Sequence, residues 1–139
     1  MKLSDIKVDS DRIESAAGEW VDGIPDLPGI RIKARAANNS DYRRLEARLV
    51  REIPRAQRLE GVSPADQDRI AGQLLLETVV IDVEGLTEDD GATPLAYTRQ
   101  LGKTLLLDPN FRVFQAGAAY AAAIVAQGRK ADEEQDAKN

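Results

Sequence analysis

From Ile30 to Ala36 apolar and basic residues alternate without interruption, with Ile30, Ile32, Ala34 and Ala36 on one side and Arg31, Lys33 and Arg35 on the other. A period of two puts alternate side chains on opposite faces, so this stretch predicts a half-buried strand. Its even-numbered residues face a core, and its three basic residues face water or a partner. The nearest pairing partner is Glu19 to Ile24, which carries the single tryptophan, Trp20, ahead of a Pro/Gly-rich loop ending at Pro28-Gly29. At Tyr42 the period changes. Tyr42, Leu45, Leu49 and Ile53 recur at helical spacing and make one apolar stripe, with Arg43, Arg44, Arg48, Arg51 and Arg55 largely off it. The cluster Asn38-Asn39-Ser40-Asp41 supplies short polar side chains to cap that helix, and Pro54 ends or kinks it.

A second helix start lies at Ser63-Pro64-Ala65-Asp66, where Ser63 caps, Pro64 takes the position whose missing N–H costs nothing, and Asp66 favours the positive end of the dipole. Ile70, Leu74 and Leu75 point inward. The β-branched run Thr78-Val79-Val80-Ile81-Asp82-Val83 is compatible with helix or strand. No break separates it from Leu74, so we expect the helix to continue to about Val83 and Gly85 to stop it. Glu88-Asp89-Asp90-Gly91 lacks the alternate acids and terminal glutamate of a calcium loop and reads as a solvated acidic turn. Thr98 caps a short helix through Leu107. Asp108 and Pro109 open the last helix, with Phe111, Phe114, Ala118, Ala121 and Val125 on one face. The fold class expected is mainly α with a small N-terminal β element. Residues 1–18 form a flexible segment, residues 19–127 a single compact helical domain, and residues 128–139 a charged, disordered tail.

Length and composition narrow the function. The 139 residues suffice for one domain, and aromatics make up only 4% of them, so the core is aliphatic. There is neither cysteine nor histidine, which removes disulfides, thiolate metal sites and the usual general base. Lys103, the serines and the paired carboxylates Asp82/Glu84 and Glu88/Asp90 have no activating partner in the sequence, so no catalytic, cofactor or metal site is expected. The first ten residues lack the apolar run of a signal peptide, and no stretch is long enough to span a membrane.

Charge is distributed unevenly. Residues 31–58 hold nine basic residues against three acidic ones, +6, so the rest carries −11 within the total of −5. Such complementary surfaces favour self-association or an oppositely charged partner. A nucleic-acid surface would need readers among the arginines, and the only aromatic there, Tyr42, belongs to the buried stripe. The arginines therefore read as a solvated face or a protein-binding surface. Trp20 reads as a plug at a core edge or as an exposed anchor for a partner.

The run Val80-Ile81-Asp82-Val83-Glu84-Gly85-Leu86-Thr87-Glu88-Asp89-Asp90-Gly91 is followed by Pro94-Leu95-Ala96-Tyr97-Thr98. Further on comes Leu105-Leu106-Leu107-Asp108-Pro109-Asn110-Phe111-Arg112-Val113-Phe114. In this order the three stretches resemble the phage tail assembly chaperones of long-tailed phages. Trp20, the alternating strand and Asn39-Ser40-Asp41-Tyr42 fit the same pattern, over roughly residues 19–127. Val83 and Tyr120 stand where that family carries an aromatic and a tryptophan. The resemblance implies structural roles for Gly85, Tyr97, Asp108, Pro109, Phe111 and Phe114. It also implies a non-catalytic protein of the host bacterial cytoplasm that coats the aggregation-prone tape measure protein until tube subunits polymerise. Such a protein is absent from the finished virion and is often accompanied by a longer form made by ribosomal frameshifting. Partner contacts are expected at Arg43, Arg44, Arg48, Arg51, Arg55 and Trp20, with neither nucleic acid nor membrane as a partner. The competing readings are a structural head–tail or tail component and a small acidic protein-binding adaptor; an enzyme ranks last.

Overall fold

The computed structural model describes residues 1–128. Three strands form one antiparallel sheet in the order β1 (Glu19–Val21), β2 (Arg31–Ala34), β3 (Val80–Glu84). Around it lie α1 (Ser10–Glu14), α2 (Ser40–Arg51), α3 (Arg55–Leu59), α4 (Pro64–Thr78), α5 (Arg99–Leu107) and α6 (Arg112–Gln127), with short 3-10 turns at Leu3–Asp5 and Pro109–Phe111. The fold is mainly α with a small sheet near the N-terminus, as the pattern predicts.

The alternating stretch forms the central strand. Ile32, Ala34 and Ala36 are fully buried, and β1 pairs with it in the register Trp20 opposite Lys33 and Val21 opposite Ile32. Helix α6 packs on the inner face through Ala118, Ala121, Ala122 and Val125, small enough for the N–H of Ala37 to donate to the carbonyl of Ala122 at 3.2 Å. Main-chain approach this close needs small side chains beside Ala37, which the three alanines supply.

The expected continuation of α4 to Val83 is incorrect. The helix ends at Thr78, Val79 leaves the helical conformation (φ −122°, ψ −66°), and Val80–Glu84 runs back along β2 as the third strand. A bulge explains why the sequence hides it. Lys33 pairs with Asp82 but Ala34 pairs with Val80, so Ile81 is an extra residue and Val80 and Val83 both turn inward. Their spacing of three then imitates a helix.

Residues 10–18, expected to be flexible, are docked. Arg12 pairs with Glu19 at 2.7 Å, Ile13 packs against the core, and a carboxylate oxygen of Glu14 accepts from the N–H of Ser40 at 2.9 Å. The charged stretch 128–139, expected to be disordered, lies outside the described residues except for Gly128.

The predicted caps are present. Asn39, Ser63, Thr98 and Asp108 each accept a hydrogen bond from a backbone N–H in the turn that follows, and Pro54 separates α2 from α3. Asn39 does more than cap. Its side chain is completely buried, and its amide donates to the carbonyls of Ala36 at 2.9 Å and Thr78 at 3.0 Å. One side chain thus ties the end of β2, the start of α2 and the end of α4 together.

Candidate partner-binding surface

Helix α2 turns its apolar stripe inward. Leu49 and Ile53 are buried with Ile70 and Leu74 of α4, and Tyr42 and Leu45 pack at the edge. The arginines are thereby driven outward, and Arg43, Arg44, Arg48, Arg51 and Arg55 are all exposed. They are not equivalent. Arg43 lies 3.6 Å from Glu14, Arg44 pairs with Asp41, and Arg48 lies 3.8 Å from Glu52. Exposed pairs of this kind contribute roughly 0–1 kcal/mol each and leave the guanidinium accessible. Arg51, Arg55 and the neighbouring Arg58 have no ionic partner among the described residues. The positive ridge is therefore most available at the end of α2 and along α3.

Of the alternating basic residues expected to face water or a partner, Arg31 is exposed, whereas Arg35, just past β2, is not. Arg35 is folded against the protein. It donates to Asp41 at 2.7 Å and to the carbonyls of Ser15 and Glu14 at 3.3 and 3.4 Å. These bonds hold the Asp41 carboxyl below its ordinary range, Arg35 contributing most and Arg44 next. The Glu14 carboxyl is lowered as well, chiefly by the backbone N–H of Ser40. Arg31 pairs with Glu84 at 2.8 Å and places its guanidinium 4.9 Å from the centre of the Trp20 ring. Trp20 is half-buried on β1, on the pleat face opposite the buried Val21. It belongs to the outer face of the sheet, whereas α2 packs on α4, so the structure does not gather Trp20 and the five arginines into one surface.

The motif residues lie at the junctions between elements. Gly85 closes β3 at φ +97°, and a Cβ there would sit 2.1 Å from the carbonyl oxygen of Gly29. Thr87 bridges to Pro94 across the acidic turn, inside which Asp90 accepts from the N–H groups of Ala92 and Thr93 at 2.9 and 2.8 Å and from the Thr93 hydroxyl. The Asp90 carboxylate is thus engaged within its own turn. Tyr97 is half-buried with its hydroxyl end over Gly102, and burial raises its pKa. Asp108 caps the 3-10 turn begun by Pro109, and Phe114 is buried in the main core. Phe111 departs from the expected apolar face: it precedes α6 in the 3-10 turn and is exposed. Lys103 is exposed on α5. Among the described residues no group of three or more acidic side chains is arranged to hold a metal ion, and no helix is long and apolar enough to cross a membrane.

Fold and surface define a small, mainly α protein whose distinctive exterior is a helix coated with arginine. A sequence model described as YdaY prophage protein matches residues 37–139, and the chain belongs to this phage-derived family. The matched region begins just before α2 and holds the arginine ridge and every motif residue from Gly85 to Phe114, while Trp20, β1 and β2 precede it. Neither the curated proteins nor the solved structures give a match.

Proposed function

We propose that this protein is a non-catalytic phage tail assembly chaperone. It binds the tape measure protein in the host cytoplasm and keeps it soluble until the tail tube polymerises. The observation that carries this reading is the arginine ridge of α2 and α3, which is exposed and only partly paired. A chaperone of a long filamentous client needs many modest sites rather than one deep pocket, because repeated weak contacts add through avidity. Motif order supports the same reading, since the residues that resemble the tail chaperones fall on the β3 exit, the acidic turn and the α5–α6 junction. Acidic segments of the client, or the acidic remainder of a second copy, are the complementary surfaces. A frameshifted longer form would present the same ridge, and neither nucleic acid nor membrane is a partner in this reading.

The test is co-expression with the tape measure protein encoded nearby, followed by affinity capture and sizing. Solubilised tape measure co-eluting with many copies of the chain is the expected result. The triple variant Arg48→Glu/Arg51→Glu/Arg55→Glu should reduce capture at least tenfold. Its stability should move by no more than about 0.5 kcal/mol, as for exposed positions generally. An insoluble tape measure with this protein eluting alone would defeat the proposal. Recovery of the chain in purified particles would favour a structural tail component instead.

A further inference from the structure

Among the described residues, two exposed apolar surfaces have nothing packed on them. One is residues 1–9, all exposed, in which Leu3, Ile6 and Val8 present large aliphatic side chains to water, Leu3 at 83%. The other is a groove of about 500 Å³ between the 24–27 loop and the first half of α6. Ala116 and Gly117 form its floor, with Pro25 on one wall and Val113 and Tyr120 on the other. Gly117 lets the loop lie against the helix: a Cβ there would sit 2.4 Å from Leu27 Cδ1 and 3.0 Å from Ile24 Cγ2, so these loop side chains would have to shift. The exposed face of α6 continues this surface through Ala119 and Ala123. Between Val113 and Gln127 the helix carries no charged residue, in a chain that is 31% charged. An uncharged exposed helix face of this length marks a contact surface.

We propose that residues 1–9 of one copy dock in the α6 groove of a second copy, reciprocally, so that the chain forms a segment-exchanged dimer. Shape and chemistry select this occupant. Leu3, Ile6 and Val8 are bulky side chains facing a floor of alanine and glycine, and between them stand charges of both signs, Asp5 and Lys7. The groove edges also carry both signs, Asp26 on the loop and Arg112 on the helix, complementary to Lys7 and Asp5. The other end of the chain does not suit the groove, since residues 129–139 contain no apolar side chain larger than alanine. Position matters too. Helix α1 sits at the far end of α6, where Arg12 lies against Gly128, while the groove occupies the opposite end. A twofold exchange makes the same contact twice and closes on itself. The inference concerns a different surface from the arginine ridge and stands whether or not that ridge binds a tape measure protein.

The absence of native cysteine makes the test direct. A Lys7→Cys chain is mixed with a larger, tagged Ala119→Cys chain under mild oxidation. A mixed-mass disulfide adduct should accumulate at least tenfold above a control in which the tagged chain carries Ala47→Cys on α2. Sedimentation should show a monomer–dimer equilibrium. Leu3→Ser/Ile6→Ser/Val8→Ser and Val113→Glu/Tyr120→Glu should each weaken it at least tenfold, with far-UV spectra unchanged because these side chains are exposed. Three results would overturn the proposal. Adduct at the control level with a monomer at all concentrations is one. A dimer indifferent to both sets of substitutions is another. The third is a Lys7→Cys/Ala119→Cys chain that closes a disulfide within itself while the mixed adduct is absent, which would mean the segment folds back onto its own groove.

Discussion

Among the described residues, seventeen buried apolar side chains, most of them from the three strands and from α4, α5 and α6, make the main core, whereas four, Leu49, Ile53, Ile70 and Leu74, lie between α2 and α4. The large core is organised by close main-chain approach: α6 on β2 through alanines, and the β3 exit on Gly29 through Gly85. The small one is an amphipathic helix laid on α4, with water at its edges and arginine outside. The first region has little freedom to adjust, so its residues are chosen for size. The second needs only a stripe and a coat, so its outer face is free to be chosen for partners.

That contrast predicts unequal costs for similar deletions. Leu106, 1% exposed in the main core, should lose about 4 kcal/mol on Leu106→Ala, because the surrounding strands and helices cannot collapse into the space. Ile53, 3% exposed beneath α2, should lose about 2 kcal/mol on Ile53→Ala, the low end for such deletions, because α2 can settle onto α4. Urea denaturation of the two variants checks the pair, and equal losses would mean that both clusters form one rigid unit. Between these two in size is Gly85→Ala, at about 3 kcal/mol. It combines a positive φ with a clash against the Gly29 carbonyl, which the β3 exit must move to relieve. A loss below about 1 kcal/mol would show that the β3 exit is adaptable after all.

How much of this was legible in the sequence follows from the same contrast. The arginine helix and its cap could be read directly, because amphipathic spacing and a polar start cluster are local signals. The central strand could be read because Ile30 to Ala36 keeps strict alternation. The third strand could not, because the extra residue at Ile81 sets Val80 and Val83 three apart on the same side. Arg35 is equally hidden: alternation assigns it a face, but not the Asp41 carboxylate and the two carbonyls that fold it back. Gly117 gave no signal at all, since the loop that it admits comes from ninety residues earlier. The candidate surface was thus visible as a list of arginines. Which of them remain unpaired, and that Trp20 lies elsewhere, required the fold.

Asn39 joins the two regions and offers a way to separate them. Asn39→Ala removes the cap of α2 and leaves the buried carbonyls of Ala36 and Thr78 without their amide donor. We expect a loss of about 2 kcal/mol. Hydrogen exchange should show α2 and α3 opening before the sheet does. Uniform opening would argue that the corner has no independent stability.

The smallest effect expected is electrostatic and lies in the acidic turn. The Asp90 carboxyl is held at about 2, below the ordinary value of 3.8, first by the Thr93 hydroxyl, then by the Thr93 N–H and the Ala92 N–H. A carboxyl lowered in the folded state contributes stability that is fully present above its unfolded pKa and is lost as pH falls through its folded value. The window for Asp90 is therefore pH 4 down to 2; the carboxyls of Glu14 and Asp41, lowered as well, also lose their contributions on acidification, and they hold α1 and Arg35 to the start of α2. Acid should loosen the seam around α2 and the Thr87–Pro94 turn while the main core, which uses none of these groups, persists. A carboxyl-detected NMR titration of wild type should give Asp90 a midpoint near 2, and Thr93→Val should move it toward the ordinary value because the strongest donor is gone. If the midpoint stays near 2 in that variant, the backbone N–H groups alone hold the charge. The turn would then be set by its main chain, as the sheet and α6 are, rather than by side chains, as the arginine corner is.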